Sequence, residues 1–325
     1  MDLNSVIVRG VGGFLPSKRF SNYDFPESLN TSHEWIYERT GIEARRIAEP
    51  HETTSFLAIK ACEAALKDAN IDANEIDLII CATATPDKTF PSTAVLIQHA
   101  LGVSQGCAFD VQAVCSGFIY ALTLANNFLK LGQAKKALVI GADISSRLVD
   151  WSDRSTCVLF GDGAGAMVIE AVLPENNPEN RGILSTSLHS DGKFASLLET
   201  TGGVSTTGTA GTILMHGREI YRHAVEKMTK GVQEALATNN LSVSDIDWLV
   251  PHQANKRIMV AVAERLGIPS EKVIVTLGEQ ANTFAATIPL ALWETQKKNL
   301  LKPGDLVVLE ALGGGLTWGS VVLRW

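Results

Sequence analysis

CAFDVQAVCSGFIYALTLANNFLKL, residues 107–131, is the stretch that decides the fold. CAFDV reads as a short apolar strand, and the segment from near Cys115 to Leu131 reads as an apolar helix. Working backwards, a short helix from about 93 precedes it, and before that a strand, DLIICATAT (77–85). A helix near 53–69 comes earlier still, with Ile59, Cys62, Leu66 and Ala69 on one stripe. Working forwards, the strand KALVIGAD leads to two apolar runs, TCVLF and AMVIEAV, flanking the glycine-rich turn GDGAG (161–165).

That order recurs. A helix is expected over about 217–238, then a strand DWLV (247–250) ending at Pro251-His252. A helix near 255–266 places Ile258, Val262 and Leu266 on one face, and KVIVT follows as a strand. A helix from about Asn282 to Lys298 and the strands DLVVLEAL and SVVLRW, on either side of GGGLTWG, close the chain. Each half therefore reads α-β-α-β-α-β-β, an α/β chain of two similar halves, 1–172 and 173–325. The junction of about 173–212 holds the turn-rich PENNPEN and a long loop, TTGGVSTTGTAG.

Composition bounds the function. The 325 residues are 46% hydrophobic and 19% charged, enough for a large buried core. A net charge of −7 lacks the basic face that nucleic-acid binding needs. No apolar run is long enough to span a membrane, and MDLNSVIVRGVGGFLP reads as a first strand rather than a signal peptide. Five cysteines without a CxxC pair fit neither a disulfide framework nor a structural zinc site, and point to a reducing cytoplasm.

Three residues carry chemistry. Cys115 lies where a strand turns into a helix, and a helix N-terminus lowers a thiol's pKa; the bland reading is a buried structural cysteine. Cys62, Cys81, Cys107 and Cys157 read as buried structural residues. His252 follows a strand end, where α/β proteins place catalytic side chains, but a structural histidine fits the local sequence too. Asn282 reads as a helix N-cap or as a substrate-facing amide. Cys115 and Asn282 each begin the third helix of their half, so packing of similar halves would bring them and His252 to a shared centre. GGG at 313–315 and GDGAG read as hairpin turns, or as sites of close backbone approach to a substrate. Neither matches a phosphate loop.

Seven strings in order give a resemblance over essentially the whole chain. They are TSHEWIYERTGI (31–42), ATPDKTFPSTA (84–94), DVQAVCSGF (110–118), DRSTCVLFGDGAGA (153–166), PHQANKRI (251–258), ANTFAAT (281–287) and ALGGGLTWGS (311–320). Together they resemble the β-ketoacyl-(acyl-carrier-protein) synthase III family of thiolase-like condensing enzymes. The resemblance implies a duplicated, five-layered αβαβα fold and a homodimer. It also implies an acyl-CoA primer, a malonyl-carrier protein extender, and no metal or redox cofactor. The family's Cys-His-Asn triad falls on Cys115, His252 and Asn282, with Cys115 and Gly314 offering backbone N–H groups to an oxyanion. Trp35 and Arg154 match a pair that sandwiches the adenine of coenzyme A, and Arg39 matches a position near its phosphates. Trp35 also fits a half-buried aromatic anchor.

An acidic carrier protein would need a basic patch on this acidic chain. Arg218 and Arg222, at i and i+4, and Lys256 and Arg257 supply candidates, and Arg257 matches the family's docking arginine. Phe90 matches a residue that crosses the dimer to bound the acyl pocket, implying a short primer such as acetyl-CoA. Two departures stand out: the family's Gly-Asn-Thr-Ser is here Ala281-Asn282-Thr283-Phe284, without the glycine and with a bulky ring beside the triad. An acyl-CoA-primed ketosynthase of secondary metabolism is the alternative reading.

Overall fold

The computed structural model describes residues 4–325, so Met1–Leu3, with the acidic Asp2 used in reading the start, lie outside it. The chain runs β1 (Ser5–Phe14), β2 (Arg19–Ser21), α1 (His33–Thr40), β3 (Ala44–Arg46), α2 (Thr54–Ala69), β4 (Leu78–Ala82), α3 (Thr93–Ala100), β5 (Cys107–Val111), α4 (Gly117–Lys130), β6 (Lys136–Ile144), α5 (Arg154–Cys157) and β7 (Asp162–Val172). It continues with β8 (Gly182–Ser190), β9 (Leu198–Thr200), β10 (Ile213–Met215), α6 (Gly217–Thr238), β11 (Trp248–Pro251), α7 (Lys256–Leu266), α8 (Leu277–Gln280), α9 (Thr287–Lys297), β12 (Leu306–Gly313) and β13 (Thr317–Arg324).

Two mixed sheets result, ordered β1-β7-β6-β4-β5 and β11-β12-β13-β8. Helices α4 and α9 touch both sheets and form a middle layer. Helices α2 and α3 cover the outer face of the first sheet; α6 packs on the outer face of the second, with α7 against it. The five-layered αβαβα architecture expected from the sequence is therefore present. Alternation along β12 shows how the layers form: Val307, Leu309 and Ala311 face the central core, whereas Leu306, Val308 and Leu312 face the α6–α7 core.

The internal repeat has a constant spacing at its best-matched points. Asn70 and Asn240, 170 positions apart, both end a helix-to-turn step with positive φ. Asp77 and Asp247 both bracket the neighbouring strand, accepting from the N–H groups of Lys136 and Leu306. Val114 and Phe284 both open a 3-10 turn with positive φ, 47° and 51°.

Several elements differ from the sequence reading. KVIVT forms no strand: Val273 makes one isolated bridge to Leu249, and the side chain of Gln253 occupies the positions a partner strand would take. It donates to the Ile274 carbonyl and accepts from the Thr276 N–H. TCVLF is split between α5 and a single bridge from Phe160 to Asn282. GDGAG is no turn but lies at the start of β7, where a Cβ on Gly165 would stand 2.7 Å from Pro289 of α9. Asn282 does not begin a helix. The chain breaks at Ala281 (φ 56°) and Phe284 (φ 51°), and α9 starts only at Thr287. The counterpart of Cys115 is therefore Ala285, one residue after the positive-φ position, and the counterpart of Asn282 is Gln112.

Candidate active site

The first 3-10 turn, Val114–Ser116, sits between β5 and α4 and carries Cys115. Val114 is β-branched and held at φ 47°, a conformation costing about 1–3 kcal/mol that surrounding packing must sustain. The Ser116 hydroxyl bridges the Ala113 carbonyl (2.9 Å) and the Thr317 hydroxyl (2.7 Å), locking this turn to the β12–β13 connection. At Gly313 the two backbones touch: a Cβ there would lie 2.9 Å from the Cys115 nitrogen. Only glycine permits that approach, and it leaves the Cys115 N–H beside the Gly313–Gly315 turn.

The second 3-10 turn, Phe284–Ala286, packs against the first. Its Phe284 backbone joins two other side chains. The Phe284 N–H donates to Asn282 Oδ1 (3.0 Å), which occupies the amide oxygen and leaves the Nδ2–H on the side of the Cys115 thiol. The Phe284 carbonyl lies 3.2 Å from the Thr287 hydroxyl, which in turn contacts His252 Nδ1 at 2.6 Å. His252 itself is fixed at the end of β11 by its N–H to the Glu310 carbonyl (2.8 Å). The rest of PHQAN serves the fold: Gln253 braces the loop, and Asn255 caps α7 while donating to the Arg39 carbonyl.

Electrostatics depart from expectation at the thiol. Burial raises the Cys115 pKa, and the Asp143 carboxylate adds to that; its own backbone N–H and the Asn282 amide oppose them. Burial thus prevails over those two hydrogen bonds and favours the thiol at rest. Burial alone lowers His252 to about 3, so the imidazole is neutral at physiological pH. Burial lifts Asp143 to about 7, opposed by hydrogen bonds from the Ala84 and Ala285 N–H groups and the Thr85 and Thr83 hydroxyls. Asp143 is a residue sequence reading passed over. A lone acid closing the apolar strand KALVIGAD was the available signal.

A cavity of about 1020 Å³ opens beside the two turns, lined by Val114, Phe284, Leu148, Leu198, Ile213 and Gly314. The Phe284 ring is buried edge-on against Phe160 at 5.2 Å. Trp35 is half-buried, with the guanidinium of Arg39 at 4.5 Å and that of Arg154 at 4.7 Å from its ring centroid. Arg154 also donates to the Asn30 carbonyl. A base stacking on Trp35 at the Arg154 side would have to displace that guanidinium. Phe90 is 82% exposed.

Lys256 and Arg257 line a groove of about 380 Å³ with Tyr37 and Tyr221; Arg218 and Arg222 are exposed on α6 but do not line it. Cys62, Cys81 and Cys157 are buried, but Cys107 is exposed on the edge strand β5, against expectation. Among the described residues no cluster of His, Cys, Asp and Glu is placed to hold a metal, and no helix is long and apolar enough to cross a membrane.

Comparison with known proteins gives the family. Residues 109–192 match the family model for 3-oxoacyl-[acyl-carrier-protein] synthase III, and residues 236–325 match its C-terminal model. The β-ketoacyl-[acyl-carrier-protein] synthase III of Rhodospirillum centenum is 54% identical over 100% of both chains, and that of Rhodobacter capsulatus 53% identical over 98% of both. The crystal structure of the Aquifex aeolicus synthase III superposes with a TM-score of 0.93 at 46% identity, covering 98% of this chain and 100% of that one. The priming β-ketosynthase of the R1128 polyketide pathway superposes at 0.91 with 32% identity, covering 99% and 97%. By its sequence, its fold and these relatives, the chain belongs to the β-ketoacyl-[acyl-carrier-protein] synthase III family, acyltransferases of the thiolase-like condensing type.

Proposed function

We propose that this chain condenses an acyl-CoA primer, acetyl-CoA first, with malonyl-carrier protein, giving a β-ketoacyl-carrier protein, coenzyme A and carbon dioxide. The reaction initiates fatty-acid synthesis in the cytoplasm and uses no cofactor. Cys115 sulfur attacks the primer's thioester carbonyl, the N–H groups of Cys115 and Gly314 hold the oxyanion, and coenzyme A departs as the thiol with the proton from Cys115. Malonyl thioester then enters and loses carbon dioxide. The electron pair it leaves is delocalised onto the thioester oxygen, where His252 and Asn282 donate. The carbanion attacks the acyl carbonyl, the Cys115 sulfur leaves, and a proton from solvent restores the thiol.

The observation that carries this reading is the junction at Phe284. The Phe284 N–H orients the Asn282 amide, and three residues on the Thr287 hydroxyl meets the His252 ring, beside the turn that bears Cys115. The halves 1–172 and 173–325 would then divide the work, nucleophile from the first and donors from the second. Trp35, Arg39 and Arg154 form a cationic aromatic platform suited to the nucleotide of coenzyme A. Lys256 and Arg257 beside the Tyr37–Tyr221 groove suit an acidic carrier protein, with Arg218 and Arg222 extending the positive face. The exposed Phe90 and the half-exposed edge strand β5 suit a homodimer in which Phe90 bounds the partner's acyl pocket. A role in secondary metabolism is the weaker reading, since identity is 53–54% to synthases III and 32% to the polyketide priming synthase.

The test is direct. Protein mixed with acetyl-CoA and malonyl-carrier protein should yield carrier protein bearing an acetoacetyl group, read by intact mass. If no acyl-CoA from two to eight carbons gives a β-ketoacyl carrier protein, the proposal fails.

A further inference from the structure

On the far side of the His252 ring lies a contact whose hydrogen decides the ring's tautomer. Thr287, the first residue of α9, places its hydroxyl 2.6 Å from His252 Nδ1. We infer that Thr287 is a positioning residue that gives His252 its working tautomer, by donating to Nδ1 and so keeping the ring hydrogen on Nε2. The inference deepens the function proposed above and rests on it.

The assignment follows from counting donors. A threonine hydroxyl has one hydrogen, and its two candidate acceptors here are His252 Nδ1 and the Phe284 carbonyl. The carbonyl already receives the Thr287 N–H, as the helical step at this residue requires, and its distance to the hydroxyl is the longer, 3.2 Å. A separation of 2.6 Å is typical of an O–H donor and shorter than the usual N–H···O bond. Both residues are buried, His252 at 3% and Thr287 at 2% exposure, which leaves little room for water to compete. The cap of α9 makes no claim on the hydroxyl, because the N-cap position is Ala286 and α9 begins without a side-chain cap. Burial also keeps the ring neutral, so only one ring nitrogen carries hydrogen.

The consequence is chemical. A neutral imidazole with hydrogen on Nε2 donates to an oxygen gaining negative charge, as the decarboxylation step needs. The opposite tautomer would present a lone pair to that oxygen and repel it. Asn282 is set in the same way, its oxygen engaged by the Phe284 N–H so that its Nδ2–H is left for the Cys115 side. The segment from Asn282 to Thr287 thus fixes both donors before substrate arrives.

The experiment uses the full chain labelled with 15N-histidine, with His252→Ala identifying the His252 signals. Wild type should show hydrogen on Nε2 and an accepting Nδ1. Thr287→Val keeps the shape and removes the hydroxyl. It should move the ring toward the other tautomer and lower the condensation kcat about 10- to 100-fold. Acetylation of Cys115 in the same variant should stay within about twofold of wild type. Thr287→Ser, which restores the donor, should recover the rate to within about threefold. Hydrogen on Nδ1 in the wild-type spectrum would overturn the inference, and that reading needs no variant to fold. A Thr287→Val protein that condenses at the wild-type rate would overturn it as well. Wild type that shows the expected tautomer yet condenses no primer would instead remove the proposed function.

Discussion

The two 3-10 turns at the centre of the molecule share a backbone and divide the chemistry. Val114-Cys115 and Phe284-Ala285 lie 170 positions apart, each entered through a positive-φ residue and each leading into a middle-layer helix. At the second turn the Ala285 N–H is taken by the Asp143 carboxylate at 3.2 Å. The position related to Asp143 by the same spacing is Gly313, which has no side chain and abuts the Cys115 nitrogen. One turn has its N–H filled from within the protein, and the other has no side chain at the corresponding position to fill it; under the function proposed above, that N–H serves a substrate oxygen. His252 likewise stands where the first half has Ala82, and Asn282 where it has Gln112. Repeated scaffolding fixes the positions, and a few asymmetric side chains make the two turns chemically unlike.

Breaking the asymmetry at Gly313 should have the largest effect. Gly313→Ala puts a methyl carbon 2.9 Å from the Cys115 nitrogen and 2.8 Å from the Ala113 carbonyl. Acyl transfer from acetyl-CoA should fall about 10²- to 10³-fold, the loss typical of an oxyanion donor, and the thermal midpoint should drop by a few degrees as the backbone shifts to admit the methyl group. Stopped-flow release of coenzyme A is the measurement.

A second asymmetry is Glu310, in the place of Ile140 of the first half. It is fully buried, neither carboxylate oxygen has a hydrogen-bond partner among the described residues, and burial raises its pKa to about 8. The folded state therefore holds a proton that the unfolded state has lost above about pH 4.5, so this group's contribution to stability falls as pH rises from there to about 8. Glu310→Gln should remove that slope, a difference of a few kcal/mol between pH 5 and 8 in urea unfolding. His252 slopes the other way: its folded pKa lies below the unfolded value, so stability falls as pH drops from about 6.5 toward 3.

The turns differ in a third respect: both Val114 and Phe284 line the 1020 Å³ cavity, but Phe284 brings an aromatic ring where Val114 has a small side chain. Phe284→Ser should open that side of the cavity and reduce the preference for acetyl-CoA over hexanoyl-CoA about tenfold in kcat/KM. The smallest effect belongs to Ala281, held at φ 56° and ψ −164°, a region natural to glycine. Ala281→Gly should raise stability by about 1 kcal/mol, the relieved strain less the extra entropy of glycine in the unfolded chain.

Long apolar elements were legible in the sequence. The helix over 217–238 and the strands KALVIGAD and DLVVLEAL are present within a residue or two, because period and length agree with burial there. Elements shaped by side-chain substitution for backbone were not. KVIVT has strand composition, but Gln253 fills its ladder positions. β8, ILSTSLHS with its flanking glycine, was hidden in the junction because its serines and threonines give no apolar run, yet it pairs with β13 along its length. Cys115 and His252 were singled out from their places at turn and strand ends, and the structure puts them there; Asn282 was singled out as a helix start, which it is not. Their partners Thr287, Asp143 and Gly313 were missed, since each acts through a contact with a residue far away in sequence. The exposure of Cys107 was missed because an edge strand and a central strand of the same composition read alike.

The central claim, that the first turn carries the acyl group and the second supplies only donors, is tested by intact mass on four proteins. Wild type, Cys115→Ala, His252→Ala and Asn282→Ala are each given acetyl-CoA and then malonyl-carrier protein. The account predicts an acetyl adduct on all but Cys115→Ala, discharged as product by wild type and retained by the His252 and Asn282 variants. An adduct on Cys115→Ala, or full discharge by both donor variants, would contradict it.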